Sequence, residues 1–161
     1  DKHAAHERVR FDALKNHTQP VMSQQLLSPL AVELSAEDAA SLLEQLPLLE
    51  EFGFVCEDFG DGTVLVRQVP SDLEVGDVPA ALEELAEDLR LNRADPAAAR
   101  DSLLQTMACK SAIKAGMWSD PSELQALADK VQSGEIRYCP HGRPVAVKLS
   151  KYEMEKMFKR A

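Results

Sequence analysis

Apolar positions along this chain recur at two periods, about 3.6 and about 2, which separate helices from strands. Ala4, Ala5, Val9 and Leu14 fall on a helical spacing and Asp1 can cap the first turn, so residues 2–16 are expected to be helical. HTQP (17–20) ends that helix, because Pro20 disfavours helical backbone at Gln19. VMSQQLLSPLAVEL (21–34) is apolar and tolerates extended backbone, which predicts a strand with Pro29 at an edge or a bulge. Ser35 and Asp38 resemble a capping box, and behind them Ala39, Leu42, Leu43 and Leu46 share one helix face. FVCEDFGDGTVLVRQVP (54–70) predicts two strands joined at Asp61-Gly62.

Helices dominate the second half. DVPAALEELAEDLRLN (77–92) is amphipathic, with Leu82, Leu85 and Leu89 in line. Asp95-Pro96 opens a helix expected to run to about Gly116, and Asp120-Pro121 opens one that buries Leu124, Leu127 and Val131. YCPHGRP (138–144) is a loop. VAVKL (145–149) alternates towards a strand. Ser150 and Glu153 form a capping box before a last helix that buries Met154, Met157 and Phe158. The order predicts an α+β, or mixed α/β, fold.

Composition narrows the class. The 161 residues are 45% hydrophobic and 28% charged, ordinary values for a globular chain. No apolar run approaches the ~20 residues of a membrane span, so no membrane partner is expected. A start at Asp1 rather than Met suggests a piece of a longer protein. Three cysteines, Cys56, Cys109 and Cys139, without close pairing suggest a reducing, cytoplasmic setting with free thiols or metal ligands. The formal net charge is −9, so the chain as a whole repels phosphate and needs a tether or metal ions to work on nucleic acid. No glycine-rich phosphate loop is present.

The candidate chemistry lies at the two ends. DKHAAHER places His3 and Glu7 four apart on one helix face, with His6 beside them. That is half of a zinc-like site, or simply a solvated polar face. Cys139 and His141 in CPHG alternate along the chain and can point the same way, and thiolate with imidazole is a preferred zinc donor pair. Cys109 reads equally as core or as a further ligand. His17 reads as a solvated or capping residue, Cys56 as core, and Trp118 as packed at a loop or an interface.

DKHAAHERVRFD, MACKSAIKAG, YCPHGRPVAVKLS and the terminal FKR resemble, in that order, the C-terminal region of MutL mismatch-repair proteins. The blocks span nearly the whole chain. The resemblance implies a metal-dependent endonuclease that nicks one strand of duplex DNA. Asp1, His3, Ala4 and Glu7 match the family's opening motif, with Lys2 in place of its Gln and Asp12 where a second Glu is usual. Asp1, His3 and Glu7 are thereby the implied catalytic residues. His3, Glu7, Cys109, Cys139 and His141 are the implied metal ligands, with Asp12 a further acidic candidate. Phe158, Lys159 and Arg160 match the C-terminal tripeptide. Ligand softness assigns zinc to cysteine and histidine, and manganese or magnesium to the carboxylates.

Gln24, Leu27 and Pro29, in QQLLSP, resemble the family's motif for docking on the sliding clamp, whereas the bare pattern, without that resemblance, reads as a plain half-buried strand. The family further implies a homodimer, and an N-terminal ATPase region elsewhere in the same protein. It also implies two lobes: an outer lobe of residues 1–22 with 96–161, carrying dimerisation and the metal site, and an inserted inner lobe of 23–95. Two rivals remain: a zinc-stabilised dimerisation scaffold without cleavage, favoured by Lys2 and Asp12, and a small metal-sensing regulator, disfavoured by the acidic charge.

Overall fold

The structure, a computed structural model, describes residues 1–16, 21–114 and 116–160. His17 and Pro20, read above as a cap and a helix breaker, lie outside them. The fold is mixed α/β, as expected. Helix α1 (Lys2–Lys15) is followed by β1 (Ser23–Glu33), α2 (Ala36–Leu43), α3 (Leu46–Glu51), β2 (Val55–Gly60) and β3 (Thr63–Pro70). Then come α4 (Val78–Leu91), α5 (Pro96–Lys110), α6 (Pro121–Gln132) and α7 (Lys151–Met157). By their contacts the residues form two compact units, Asp1–Arg8 with Ile113–Ala161, and Val9–Ala112. The division falls within α1.

The Val9–Ala112 unit is built on one antiparallel sheet in the order β1-β3-β2. Val64, Val66 and Val69 of the central strand are fully buried. They join Phe54, Leu42, Leu82, Leu85 and Leu103 in a single core, each such side chain contributing about 1.5–3 kcal/mol by leaving water. The Asp61-Gly62 turn forms where the sequence placed it. Both residues have positive φ, +52° and +78°, the geometry a tight two-residue hairpin requires. Glycine is needed at 62 for a second reason: a Cβ there would lie 2.7 Å from the Leu34 carbonyl oxygen.

The caps follow the sequence closely. Ser35 Oγ accepts from Asp38 N (3.1 Å), and Asp95 Oδ1 accepts from Ala97 N and Ala98 N (both 3.1 Å). Ser150 and Glu153 complete a reciprocal capping box. Arg90 Nε donates to Asp38 Oδ1 (2.9 Å), tying α4 to the start of α2. The Ser35 hydroxyl first, and Arg90 second, hold the Asp38 carboxyl below its usual range. Cys56 is buried core, and desolvation pushes its thiol up to about 12.

Four expectations are corrected. The helix after Ser35 is two helices, because Pro47 has no N–H for the Leu43 carbonyl and its ring clashes there; α3 restarts with Pro47 in its first turn. Helix α5 ends at Lys110, short of Gly116, where the Ser111 hydroxyl donates to the Met107 carbonyl (2.8 Å) and a 3.3 Å bond from Ala112 N to Cys109 O tightens the turn. VAVKL forms no strand. A lone antiparallel bridge joins Tyr138 to Pro144, and Val147 is 84% exposed; alternation makes a strand only where a neighbour completes the ladder. Met154, Met157 and Phe158 are exposed, since α7 packs too lightly to cover them. Along α6, Leu127 is buried while Leu124 and Val131 are half-buried.

Candidate metal centre

The unit formed by Asp1–Arg8 with Ile113–Ala161 holds the candidate centre. Asp1 starts the helix: its Oδ1 accepts from His3 N (3.0 Å) and Ala4 N (3.2 Å). Its own nitrogen donates to the Val145 carbonyl (2.8 Å). Glu7 follows two turns on and is buried, at 4% exposure. An acidic side chain is seldom that buried without a charge or a metal to meet it.

Cys139 and His141 meet Glu7. One ligand atom from each of the three lies within 4.8 Å of the others. His141 Nδ1 is 2.8 Å from Glu7 Oε1, yet no hydrogen bond of good geometry reaches that oxygen among the described residues. Cys139 is buried, while the His141 side chain is 44% exposed. The loop is shaped by backbone bonds: Gly142 N donates to Cys139 O and Cys139 N to Arg143 O, both at 2.9 Å. Gly142, at φ +77°, makes the turn. A turn, not strand alternation, therefore brings Cys139 and His141 to one side.

The donor set fits a metal. Thiolate, imidazole and carboxylate are the usual zinc donors, and three protein ligands leave a fourth position open, as catalytic zinc sites do. The buried Glu7 oxygen without a hydrogen bond is the atom that a cation would satisfy.

The other predicted residues are placed as follows. His3 shares this unit, with Nδ1 3.0 Å from the Ile113 carbonyl, but stands outside the three-residue group. A carbonyl only accepts, so His3 Nδ1 carries a proton. Ile113 N in turn donates to His6 Nδ1 (3.0 Å), so that nitrogen carries the lone pair, and His6 Nε2 lies 3.7 Å from Glu123. The backbone of Ile113 thus sets the tautomers of both histidines, a role that no side-chain pattern announces. Lys2 Nζ donates to the Met117 carbonyl (2.9 Å) and to Ser119 Oγ (3.4 Å). Cys109, half-buried near the end of α5, and Asp12, on α1, belong to the Val9–Ala112 unit. Phe158 is 74% exposed, and Lys159 (φ +54°) and Arg160 turn back over α7, with Arg160 N donating to Glu155 O (2.8 Å). Trp118 is 82% exposed.

Gln24, Leu27 and Pro29 lie on β1, an edge strand whose pairing with β3 shifts register between Gln25 and Leu30. All three are exposed, and Leu27 is fully so. Pro29 sits in an edge-strand irregularity, as its missing N–H requires.

Comparison with known proteins decides the lineage. The profile of the MutL C terminal dimerisation domain matches residues 1–118. The chain belongs to the MutL C-terminal dimerisation domain family. DNA mismatch repair protein MutL of Bartonella bacilliformis is 38% identical over 165 residues, covering 99% of this chain and 27% of that protein. MutL of Caldanaerobacter subterraneus subsp. tengcongensis is 36% identical over 162 residues, covering 99% and 28%. MutL of Halalkalibacterium halodurans is 35% identical over 164 residues, covering 99% and 26%. The chain thus spans about a quarter of the length of these MutL relatives. Among the described residues, no helix is long and apolar enough to cross a membrane.

Proposed function

We propose that this chain carries the metal centre of a DNA-nicking endonuclease within a mismatch-repair protein. The observation behind this reading is the meeting of Glu7, from the first helix, with Cys139 and His141, from a loop near the other end of the chain. Divalent ions bound here would make a nucleophile of water and offset the charge that develops on a phosphodiester. The chain's own residues supply the frame. Glu7 presents a buried carboxylate oxygen, Cys139 and His141 offer soft donors suited to zinc, and His3 lies one helical turn, and Asp1 nearly two, before Glu7. Manganese or magnesium suits the harder carboxylates. Lys2, the departure from the family's Gln, spends its ammonium on Met117 and Ser119. Cys109 and Asp12 remain further candidates from the resemblance.

The same reading makes the protein a homodimer through an outer lobe of residues 1–22 with 96–161, where Met117 and Trp118 leave apolar surface exposed. The inner lobe, 23–95, docks on the sliding clamp through Gln24, Leu27 and Pro29. Docking raises the effective concentration of an acidic nuclease at DNA. The ATPase belongs to the N-terminal region of the whole protein. Nicking of a supercoiled plasmid with manganese tests the assignment: the parent should nick and Asp1→Asn should not, and equal nicking by both eliminates it. Loss of clamp binding in Leu27→Ala, with unchanged melting, tests the docking motif.

A second reading, a zinc-stabilised dimerisation scaffold without cleavage, draws on the thiolate in the donor set and on Asp12 standing outside the three-residue group. It expects zinc lost in Cys139→Ser and His141→Ala, and no nicking by the parent.

A further inference from the structure

The negative charge of this chain is not spread evenly. Residues 1–135 hold eleven Lys and Arg against twenty-five Asp and Glu, a formal −14. Residues 136–160 hold seven Lys and Arg against two Glu, a formal +5. The two segments also treat their cations differently. In the first, Arg67 pairs with Glu57, Arg90 with Asp38, Arg100 with Glu51 and Lys110 with Glu84, at 2.6–2.9 Å. In the second, all seven cations are exposed. The described residues place no ion pair on Arg143, Lys148, Lys156, Lys159 or Arg160, and Lys151 reaches Glu155 only at 3.6 Å.

A folded acidic protein has ample carboxylates to neutralise its surface lysines. Five free cations in one run, exposed and close in sequence, leave a local positive field that the net charge conceals. The run is joined to the candidate centre. It contains Cys139 and His141, and Arg143 fixes the turn by accepting from Cys139 N through its carbonyl. Tyr138, Tyr152 and Phe158 stand exposed among the cations, at 57%, 63% and 74%.

We propose that residues 137–160 are the surface that takes the phosphate backbone of duplex DNA and leads it to the metal centre. The inference rests on the nuclease reading only for the identity of the polyanion. It answers the charge problem locally: the acidic remainder keeps the duplex off the rest of the chain, and the run admits it beside Cys139 and His141. Backbone contacts of this kind position a duplex without reading its sequence, so binding should not depend on sequence.

The test is binding of a fluorescent random-sequence duplex, followed by anisotropy at several salt concentrations in the presence of chelator, so that neither metal nor cleavage enters. Each neutralised phosphate contributes about −0.9 to the slope of log K against log salt, so seven cations bound the parent's slope at about −6. Replacing Lys148, Lys156 and Lys159 by Gln should make the slope less negative by about 3 and leave melting unchanged. Replacing Lys15, Arg67 and Lys130, which are paired elsewhere on the chain, should leave the slope as it was. An equal change in both triple variants, no change in the first, or no measurable binding by the parent at low salt overturns the proposal. So does a first variant that alters the sedimenting mass of the protein alone but not the slope, which would make the run a contact between copies. A parent that binds as described but fails to nick plasmid leaves the proposal standing and removes the nuclease reading instead.

Discussion

Glu7→Gln separates a metal centre from a buried polar cluster. The substitution keeps the side chain's shape and so its packing at 4% exposure, but replaces a charged donor with a weak neutral one. If Glu7, Cys139 and His141 hold a cation, zinc at a hundred times its dissociation constant should stabilise the parent by about 2.7 kcal/mol. For a chain of this size, one kcal/mol shifts the melting temperature by roughly 2–4 °C, so the parent should gain about 5–10 °C. Losing one of three protein donors should weaken zinc about 100-fold, the upper end of what even an outer partner is worth. The same zinc concentration then contributes only about 0.4 kcal/mol, and the rise in the variant shrinks to about 1 °C. The assay is a thermal scan of chelator-stripped protein with and without zinc, with Glu57→Gln, an exposed carboxylate, as the control that keeps the full rise. A parent without a zinc-dependent rise, or a Glu7→Gln variant that keeps it, refutes the reasoning.

Three further outcomes follow from the fold. Gly62→Ala should lower the urea midpoint by the equivalent of about 2–3 kcal/mol, since it adds a Cβ 2.7 Å from the Leu34 carbonyl to a residue at φ +78°; Gly60→Ala, strained in φ alone, should cost about 1 kcal/mol. Because the Asp38 carboxyl is held below its ordinary value, it contributes stability above the unfolded carboxyl range and loses it as pH falls through the folded value. The stability gap between parent and Asp38→Asn, read by denaturation, should therefore be full at neutral pH and close on acidification below about 4. The Cys56 thiol, pushed up to about 12 by burial, should resist alkylation at pH 8 until denaturant opens the core, with modification followed by mass spectrometry.

Local chemistry determined much of this protein from its sequence. Capping pairs such as Ser35 with Asp38, Asp95 with Pro96 and Ser150 with Glu153 act within one turn, so the helix starts were legible without any fold. Asp61-Gly62 required a hairpin for the same reason, its backbone preferences being its own. Where an outcome depended on distant neighbours, the pattern misled. VAVKL alternates like a strand, yet among the described residues it pairs with no neighbouring strand, and the one bridge nearby joins Tyr138 to Pro144 before it begins. Met154, Met157 and Phe158 have core spacing but no cover. The candidate centre is divided in the same way. Donor types in the first helix and in CPHG were visible in the chain, but only the tertiary structure decided that Glu7 would be buried against Cys139 and His141, and that the backbone of Ile113 would orient His3 and His6. Caps and turns are settled by interactions a few residues long. A cluster of ligands drawn from both ends of a chain is settled by packing, which spacing does not record.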